Sequence, residues 1–393
     1  MSNGRSFDLV TTQERFDELE NDWIRLCENS SADSLFCSFA WMRTWWKFYQ
    51  HLGELRILTL RRDGELIGVA PLFMRRMSAR DIEVEMVGER RFIVATKGFN
   101  YKVLQPLGSG QVCSDFMGFI AHKDDPDGIW SELYVHLQNK IKGYDILFMA
   151  DIDENAAGFE GLQYAAMGGR NARYRYQYRA PYAALPGSYE DYLYTLSKKS
   201  RYNARKKIKQ IEVHHNLKHA FHGDPDTLDE AMETFIDLHR QRWKAEGQEG
   251  VFVSDPMRDF HKAMAAEGLS RGWLRLGFLY LDGKPVFCTY GYQVGESAYL
   301  YQQGGSPEYP RFNLGYAALA FSIEDACDHG AKQYDFLRGE QDYKLHWAKN
   351  SRQLVQFIAG RSLKSSQFFA RSFINTDPQI RNSIKKLIDR GKS

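Results

Sequence analysis

The sequence contains the same predicted β-hairpin twice. Residues 55–75 place two apolar segments around Asp63-Gly64, and residues 274–294 do the same around Asp282-Gly283. An Asp-Gly pair between two such segments is a strong hairpin signal, because a type I′ turn needs positive φ at both central residues. Any fold proposed for this chain must therefore accommodate two similar hairpins about 220 residues apart.

The elements around each hairpin also recur in the same order. A helix precedes it, and a further strand, a helix and a short strand follow. The short strand carries Tyr-Asp in both halves, within GYDILFM at 143–149 and QYDFLRG at 333–339. The repeated order predicts a duplicated α+β unit, each half a mixed, mainly antiparallel sheet with flanking helices.

The length of 393 residues favours two domains, because single hydrophobic cores rarely grow that large. The segment from Pro181 to Pro186 is the predicted boundary, which gives domains at 1–180 and 181–393. Between residues 83 and 141 the first half carries a long insertion that includes GFNYKVLQPLGSG at 98–110. Loops of that length in a compact domain are usually functional or mobile.

Composition excludes several classes of protein. The 52 basic and 50 acidic side chains leave a formal charge of +2, which argues against neutralisation of many nucleic-acid phosphates. The five cysteines are scattered without CxxC spacing, so we expect neither a disulfide framework nor a metal site. No apolar run reaches about 18 residues and no signal-peptide core is visible, so we expect a soluble, cytoplasmic protein without a membrane span.

Two predicted helices carry candidate binding residues. The helix over 188–213 has seven cations between Lys198 and Lys209, which fits either a solvated face or a dock for polyphosphate. A second helix, over 227–246, ends in DLHRQRWKAEG. There, a satisfied, partly buried His239 is a better explanation than a catalytic histidine. A third helix, FAWMRTWWKFY at 39–49, has aromatic spacing typical of a core.

The segment YDFLRGEQDYKLHW at 334–347 is the candidate reaction centre. It places charges of both signs beside a glycine at the end of a short apolar strand. The same pattern is typical of an ordinary loop in which Asp335 pairs with Arg338 or Lys344, and both interpretations remain open. The familiar catalytic signatures GxSxG, GxxxxGK[ST] and HExxH are absent from the sequence.

These motifs together resemble a known family. The order of elements is similar to tandem GNAT-fold acetyltransferases, and in particular to the CelD/BcsL-type (cellulose-biosynthesis-like, BioF2-like) acetyltransferases, distant relatives of the Fem peptidoglycan aminoacyltransferases. The resemblance extends over nearly the whole chain. It is carried by FCSFAWMRTWW, DGELIGVAPL, LSKKSRYNARKKIKQIE, LHRQRWKAEGQEGVF and YDFLRGEQDYKLHWA.

The resemblance implies transfer of an acyl group from acyl-CoA, with acetyl-CoA the expected donor, to an amine or hydroxyl of a sugar or cell-envelope precursor. It also implies that the cofactor pyrophosphate binds at a helix amino end, where N–H groups and the helix dipole favour anions. The matching segment, 311–317, has one residue more than the family pattern Q/R-x-x-G-x-G/A. The expected cofactor residues are Arg311, Asn313, Gly315 and Tyr316.

The expected catalytic residues are Asp335, Arg338, Tyr343 and Lys344. Lys344 or Arg338 would stabilise the oxyanion, Asp335 would orient the acceptor or act as base, and Tyr343 or Tyr301 would protonate the leaving group. The first half lacks the arginine, glycine and lysine of this loop, so we expect it to be degenerate. Expected substrate contacts are Arg201, Arg205, His239, Arg242, Trp243, Tyr301 and Gln302.

Two alternative functions fit the same residues. One is Fem-like transfer from aminoacyl-tRNA, in which the cations between Lys198 and Lys209 would bind phosphates. The other is a non-catalytic assembly factor for polysaccharide biosynthesis that retains the fold without a working cofactor loop. Acyl-CoA binding would separate both from the first function.

Overall fold

The computed structural model describes residues 4–32, 35–79, 81–82, 100–110, 112–167 and 172–361. It divides into two compact units, one formed by Met1–Gln177 with Leu354–Ser393 and the other by Tyr178–Gln353. Most of the insertion predicted between residues 83 and 141 is described, but its part at 83–99 lies outside these ranges. Each unit is considered by itself below.

The first unit contains a mixed sheet and flanking helices. Its strands are β1 (Arg5–Val10), β2 (Glu54–Arg62), β3 (Glu65–Ser78), β4 (Asn100–Pro106), β5 (Ile120–Ala121) and β6 (Ile146–Asp153), with the later part of β13 (Asn350–Gly360). Its helices are α1 (Gln13–Asp17), α2 (Glu20–Glu28), α3 (Phe39–Tyr49), α4 (Pro126–Lys140) and α5 (Phe159–Ala166).

The second unit has its own set of elements. Its strands are the later part of β7 (Ala172–Ala184), β8 (Leu217–Phe221), β9 (Leu274–Leu281), β10 (Lys284–Val294), β11 (Ser297–Gly305) and β12 (Gln333–Asp335). Its helices are α6 (Tyr189–Thr195), α7 (Lys198–Glu212), α8 (Leu228–Ala245), α9 (Asp255–Ser270), α10 (Leu314–Asp328) and α11 (Asp342–Leu345).

Strand pairing confirms the predicted duplication. In the first unit β1, β2, β3 and β4 pair antiparallel in that order, β4 pairs parallel with β6, and β6 pairs antiparallel with β13. In the second unit β8 to β11 pair antiparallel in order, β11 pairs parallel with β12, and β12 pairs antiparallel with β7. The two units thus share one topology of the α+β class.

The extent of the second domain differs from the prediction. The first boundary, predicted at residue 180, lies at Gln177. Residues 354–360, which the sequence assigned to the second domain, belong to the first unit, because they pair with β6 from Leu354↔Asp153 to Gly360↔Ile146. A return of the chain over such a distance leaves no local signal in the sequence.

The two predicted hairpin turns are confirmed. Asp63 and Gly64 have φ of 52° and 88°, and Asp282 and Gly283 have 52° and 85°. Positive φ at both central residues is the type I′ geometry, whose twist matches that of the flanking strands.

Helix burial follows the apolar pattern of the sequence. Trp41 and Trp45 of α3 are fully buried, so the aromatic cluster of that helix is core, as its spacing predicted. Ser38 caps α3 by accepting a hydrogen bond from the backbone N–H of Trp41. In the second unit, the face of α10 that carries Ala317, Leu319 and Ile323 is buried.

A β-bulge distinguishes the second sheet. The pairing of β10 with β11 passes from Tyr290↔Gln302 to Gly291↔Leu300, so Tyr301 is an extra residue on β11. The corresponding pairing of β3 with β4 runs from Leu72↔Pro106 to Ser78↔Asn100 without a shift. Because β12 pairs with β11 only as far as Tyr299, the remainder of β11 extends beyond its parallel neighbour.

The bulge requires a glycine opposite it, which leads to a stability prediction. A Cβ on Gly291 would lie 2.0 Å from the carbonyl oxygen of Tyr299, so Gly291→Ala forces the two strands apart. We expect a loss of about 3 kcal/mol in unfolding free energy, measured by urea denaturation. Gly223→Ala is the control, since a Cβ there meets no atom within 4 Å. Equal stability of the two variants would contradict the assignment.

Candidate active site

A cleft of about 710 Å³ lies at the amino end of α10 in the second unit. Helix α7 contributes Lys207 to its wall, the end of α8 contributes Arg242, and β10 and β11 contribute Phe287 and Gln303. Residues 312–316 and the segment that includes Tyr343 and Trp347 complete the lining. The cleft thus lies beside the part of β11 that extends beyond β12.

The amino end of α10 opens into this cleft. Asn313 is the N-cap residue but makes no side-chain capping hydrogen bond, and Asn313, Leu314 and Gly315 line the cleft. Two of the first N–H groups already have backbone partners, since Leu314 N donates to Phe312 O at 2.9 Å and Tyr316 N to Asn313 O at 3.0 Å. The N–H of Gly315 makes no hydrogen bond among the described residues, and the helix dipole places partial positive charge beside it. This end of α10 is therefore suited to a negatively charged ligand, provided that the approach remains open.

Two glycines shape the wall beside the helix end. A Cβ on Gly305 would lie 2.5 Å from the ring of Phe287, and a Cβ on Gly315 would lie 3.1 Å from the same ring. The ring of Phe287 therefore packs directly against two backbone segments of the cleft. Gly315, which was expected to bind the cofactor, therefore also makes room for the ring of Phe287.

Two buried polar atoms in the lining lack partners. Gln303 is 7% exposed and its Oε1 makes no hydrogen bond, while Trp347 is 1% exposed and its Nε1 makes none. Leaving a buried polar group unsatisfied costs about 1–3 kcal/mol. Both atoms are sealed from solvent, so a ligand can complete their hydrogen bonds only if the Gln303 amide and the Trp347 indole turn toward the cleft.

Tyr343 is the predicted catalytic residue that lines the cleft. Burial raises the pKa of its phenol to about 12, although the nearby Arg242 acts to lower it. The phenol therefore stays protonated at neutral pH and is a hydrogen-bond donor. Tyr316 also lines the cleft, but its hydroxyl donates to the backbone oxygen of Ser200 at 3.0 Å and its ring packs 4.5 Å from that of Trp347.

Asp335 has a different environment from the one its sequence context suggested. Its carboxylate is fully buried, accepts a hydrogen bond from Leu337 N at 2.7 Å and pairs with Arg352 of β13. The guanidinium of Arg352 lies 4.1 Å from the ring centre of Tyr182. The observed ion pair thus reaches outside the loop, where the sequence favoured Arg338 or Lys344. Its evident effect is to hold the turn in which Leu337 has φ of 58°.

Lys344 stabilises the same loop through hydrogen bonds to its backbone. It is 5% exposed, and its Nζ donates to the backbone oxygens of Leu337 at 3.1 Å and Arg338 at 2.6 Å. Asp335, Arg338 and Lys344 are not among the described residues that line the cleft. The structure therefore does not bring the four predicted catalytic residues together at one surface, and Asp335 and Lys344 support the loop that carries Tyr343.

The predicted substrate residues fall into separate groups. His239 is buried, its Nε2 accepts a hydrogen bond from Trp243 Nε1 at 2.8 Å, and its side chain also bonds Gln302. The ring of Tyr301 packs 4.8 Å from that of His261. Arg242 of α8 lines the cleft together with Ala245, whereas Arg201, Arg205 and Arg311 lie outside its described lining. Whether Arg242 contacts a substrate stays a prediction.

Three of the cleft residues that the sequence did not predict are informative. Lys207 was one cation among seven, and the sequence did not show which face of α7 points inward. The sequence predicted Gln302 as a substrate contact and not its neighbour Gln303. Neighbouring residues of a strand lie on opposite faces, so the two side chains do not face the same side of the sheet. Phe287 lies in an apolar strand and has no sequence signal of its own. The glycines at 305 and 315, which make room for its ring, are the indication that the sequence carries.

The described thiols give no support to a covalent mechanism. Burial raises the pKa of the Cys288 thiol well above its usual range and that of Cys327 to about 11. Both therefore remain protonated and unreactive at neutral pH.

Comparison with known proteins identifies the second unit. Residues 198–345 match the family described as an acetyltransferase (GNAT) domain. The second unit has the GNAT fold. This stretch contains the cleft, the bulge and α10. No curated protein matches the chain.

Solved structures show the same fold over nearly the entire chain. The structure of FemX has a TM-score of 0.60 at 11% identity, covering 94% of this chain and 100% of that one. A conserved protein of unknown function from Bacteroides thetaiotaomicron VPI-5482 has 0.55 at 10%, covering 90% and 100%. L-PGS from Bacillus licheniformis has 0.51 at 11%, covering 93% and 98%. The predicted tandem GNAT fold is confirmed and is shared with FemX, while the Fem kinship and the narrower CelD/BcsL assignment stay predictions.

The buried histidines behind the cleft predict a pH-dependent stability. Burial lowers the pKa of His239 to about 4 and that of His261 to about 3. Because the unfolded chain binds these protons near pH 6.5, stability is complete above that pH and falls as the pH decreases toward 4. We expect protonation of each histidine in the unfolded chain to lower the unfolding free energy by about 2 kcal/mol between pH 7 and pH 5.

Urea unfolding of wild type and His261→Phe at pH 7, 6 and 5 measures this effect. Whatever its stability at pH 7, the variant should lose less unfolding free energy than wild type between pH 7 and pH 5. The difference should equal the contribution of one histidine. His214→Phe, which replaces an exposed histidine, is the control and should keep the wild-type slope. An unchanged slope in His261→Phe would contradict the prediction.

Proposed function

We propose that the second unit binds an acyl-CoA in the cleft at α10 and transfers its acyl group to an amine or hydroxyl of a sugar or cell-envelope precursor. The observation that carries the proposal is the uncapped amino end of α10, which opens into a cleft beside a strand that bulges and outruns its parallel neighbour. The match of residues 198–345 to a GNAT acetyltransferase domain supports the same assignment.

The chemistry of the lining fits the parts of this donor. The diphosphate carries negative charge, and the cleft offers a helix amino end together with Lys207 and Arg242. The lining also carries the acidic residues Glu246 and Asp342, and Glu246 already pairs with Arg242 at 3.6 Å. The pantetheine arm is uncharged and carries amide groups that donate and accept hydrogen bonds. Gln303 and Trp347 provide one unsatisfied buried acceptor and one unsatisfied buried donor in the same cleft.

Acyl transfer requires three events at the thioester. The acceptor nitrogen or oxygen attacks the carbonyl carbon and loses its proton to water, the resulting oxyanion is stabilised, and the sulfur takes a proton as the carbon–sulfur bond breaks. Water then restores the proton of the group that protonated the sulfur. Tyr343 is protonated at neutral pH and lines the cleft, so we assign it as the proton donor. Arg242 interacts electrostatically with Tyr343 and supplies positive charge beside it. Asp335 and Lys344 then act by positioning the loop.

One observation favours the aminoacyl-tRNA alternative. Arg311, the arginine expected to bind the cofactor pyrophosphate, is exposed and lies outside the described lining of the cleft. A donor other than CoA would not need it. Calorimetric titration of the full chain with acetyl-CoA decides between the two, since the alternative predicts no binding.

Variants of the unsatisfied pair test how the donor is held. We expect Gln303→Leu and Trp347→Phe each to weaken acetyl-CoA binding about tenfold, the effect of one lost hydrogen bond to a buried group. Because Gln303→Leu removes an unsatisfied polar group at similar volume, thermal stability without ligand should stay equal or rise. Trp347→Phe also leaves a small cavity in the core, so it should lose about 1 kcal/mol of unfolding free energy. Trp45→Phe is the matched control, since it removes an unpartnered buried indole N–H in the first unit.

The outcomes separate two kinds of failure. If wild type does not bind acetyl-CoA or longer acyl-CoAs, the proposed function is wrong. If wild type binds but both variants bind equally well, the donor does not use this pair. Loss of binding together with a large loss of stability would mean that the two residues act through the fold.

Removal of the Tyr343 hydroxyl tests the chemical step. We expect Tyr343→Phe to lower kcat about 10²-fold for acyl transfer to an amino-sugar acceptor, with little change in KM for acetyl-CoA, because only proton donation is lost. Release of free CoA thiol gives the rate. Tyr194→Phe, at an exposed tyrosine, is the control. Unchanged turnover in Tyr343→Phe would assign the proton to another group.

A further inference from the structure

Helix α7 carries a continuous stripe of side chains on one exposed face, here called the α7 stripe. Its members are spaced three and four residues apart, so they lie above one another along the helix. They line a groove of about 580 Å³ and are Lys198, Arg201, Tyr202, Arg205, Lys206, Lys209, Gln210 and Val213. The stripe extends about 22 Å along the helix and includes no acidic residue.

Most of its positive charge is not neutralised locally. Arg205 forms an exposed ion pair with Glu190. For Lys198, Arg201, Lys206 and Lys209 no ion pair is present within the described part of the chain. Since the chain as a whole has a formal charge of only +2, these cations form a local concentration of charge and not part of a generally basic surface.

Large apolar groups flank the cations. Tyr194 is 68% exposed, Tyr202 60% and Val213 71%. The guanidinium of Arg201 lies over the ring of Tyr194 at 4.7 Å, and the ammonium of Lys206 lies over that of Tyr202 at 5.2 Å. Stacking on nucleic-acid bases needs open ring faces, and cations already cover a face of both rings. Tyrosine with an apolar body and a polar tip is, in contrast, typical of the headgroup level of a membrane.

We propose that the α7 stripe docks this protein on the surface of an anionic lipid bilayer. A straight ridge of five cations can contact a plane of headgroup phosphates along its whole length, and the flanking tyrosines and Val213 would enter the interfacial layer. No helix among the described residues is long and apolar enough to cross a membrane, so contact of this kind is peripheral.

Docking would have a direct consequence for the cleft. Asn203 and Lys207, one residue along from the stripe positions Tyr202 and Lys206, line the cleft at α10. One helix therefore carries both surfaces, and a docked α7 places the cleft within reach of an acceptor held at the bilayer surface. The docking itself does not depend on which acyl donor the cleft binds.

Co-sedimentation of the full chain with vesicles tests the proposal. The vesicles are phosphatidylcholine containing about one-third phosphatidylglycerol, with pure phosphatidylcholine in parallel. The test variant is the triple Lys198→Gln, Arg201→Gln and Lys209→Gln. The matched control, Lys218→Gln, Arg240→Gln and Lys332→Gln, removes the same charge from exposed positions elsewhere in the unit.

We expect wild type and control to bind the anionic vesicles and not the neutral ones, with affinity falling as salt is raised. The stripe variant should bind about a hundredfold more weakly, at roughly fivefold for each cation. Circular dichroism and thermal unfolding should show all three proteins equally folded.

Two results would overturn the proposal. The first is equal weakening by the control triple, which would mean that overall charge and not the stripe determines binding. The second is no binding of wild type to anionic vesicles. If the same wild type retains bulk tRNA at low salt and the stripe variant does not, the stripe serves nucleic acid instead.

Discussion

The buried ion pair between Asp335 and Arg352 is the constraint on which the second unit's site depends. Both partners are largely removed from water, and losing one of them would leave an uncompensated buried charge at a cost of about 3–5 kcal/mol. The pair fixes the end of β12, where Asp335 also holds Leu337 in a left-handed conformation. Lys344 then binds the next two carbonyl groups. The segment that carries Tyr343 and Trp347 to the cleft thus begins from a fixed turn.

Local features of the fold could be predicted from the sequence because their causes are local. Asp-Gly determines a type I′ turn, and helical spacing determines which residues of α3 face the core. The return of β13 to the first unit and the bulge at Tyr301 could not be predicted, since both depend on pairing between distant segments. For the same reason, Asp335 seemed to have its partner within the loop, whereas the partner lies on another strand.

The candidate site shows the same division between local and distant causes. The family resemblance pointed to Arg311, Asn313, Gly315 and Tyr316, and the last three line the cleft whereas Arg311 does not. Gln303 and Trp347 could not be predicted, since each lies in an apolar context where a polar atom without a partner has no sequence signature. Such groups reduce the stability of the free protein, and they are retained when a ligand completes their hydrogen bonds. An unsatisfied pair that lines one cleft is therefore stronger evidence for a ligand than the charged loop with which the sequence argument began.

The two units share one topology but differ in the local features that shape a site. Both have a parallel strand pair, β4 with β6 and β11 with β12. Among the described strands, the pairing of β10 with β11 has a register shift that the corresponding pairing of β3 with β4 lacks. The second unit also has α7, one face of which contributes Lys207 to the cleft while the adjacent face forms the cationic stripe. Because a helix is rigid over four turns, a ligand held by the stripe fixes the orientation of the cleft wall relative to that ligand. A surface-bound acceptor would then meet the cleft in one orientation, which reduces the entropy cost of bringing the reacting groups together.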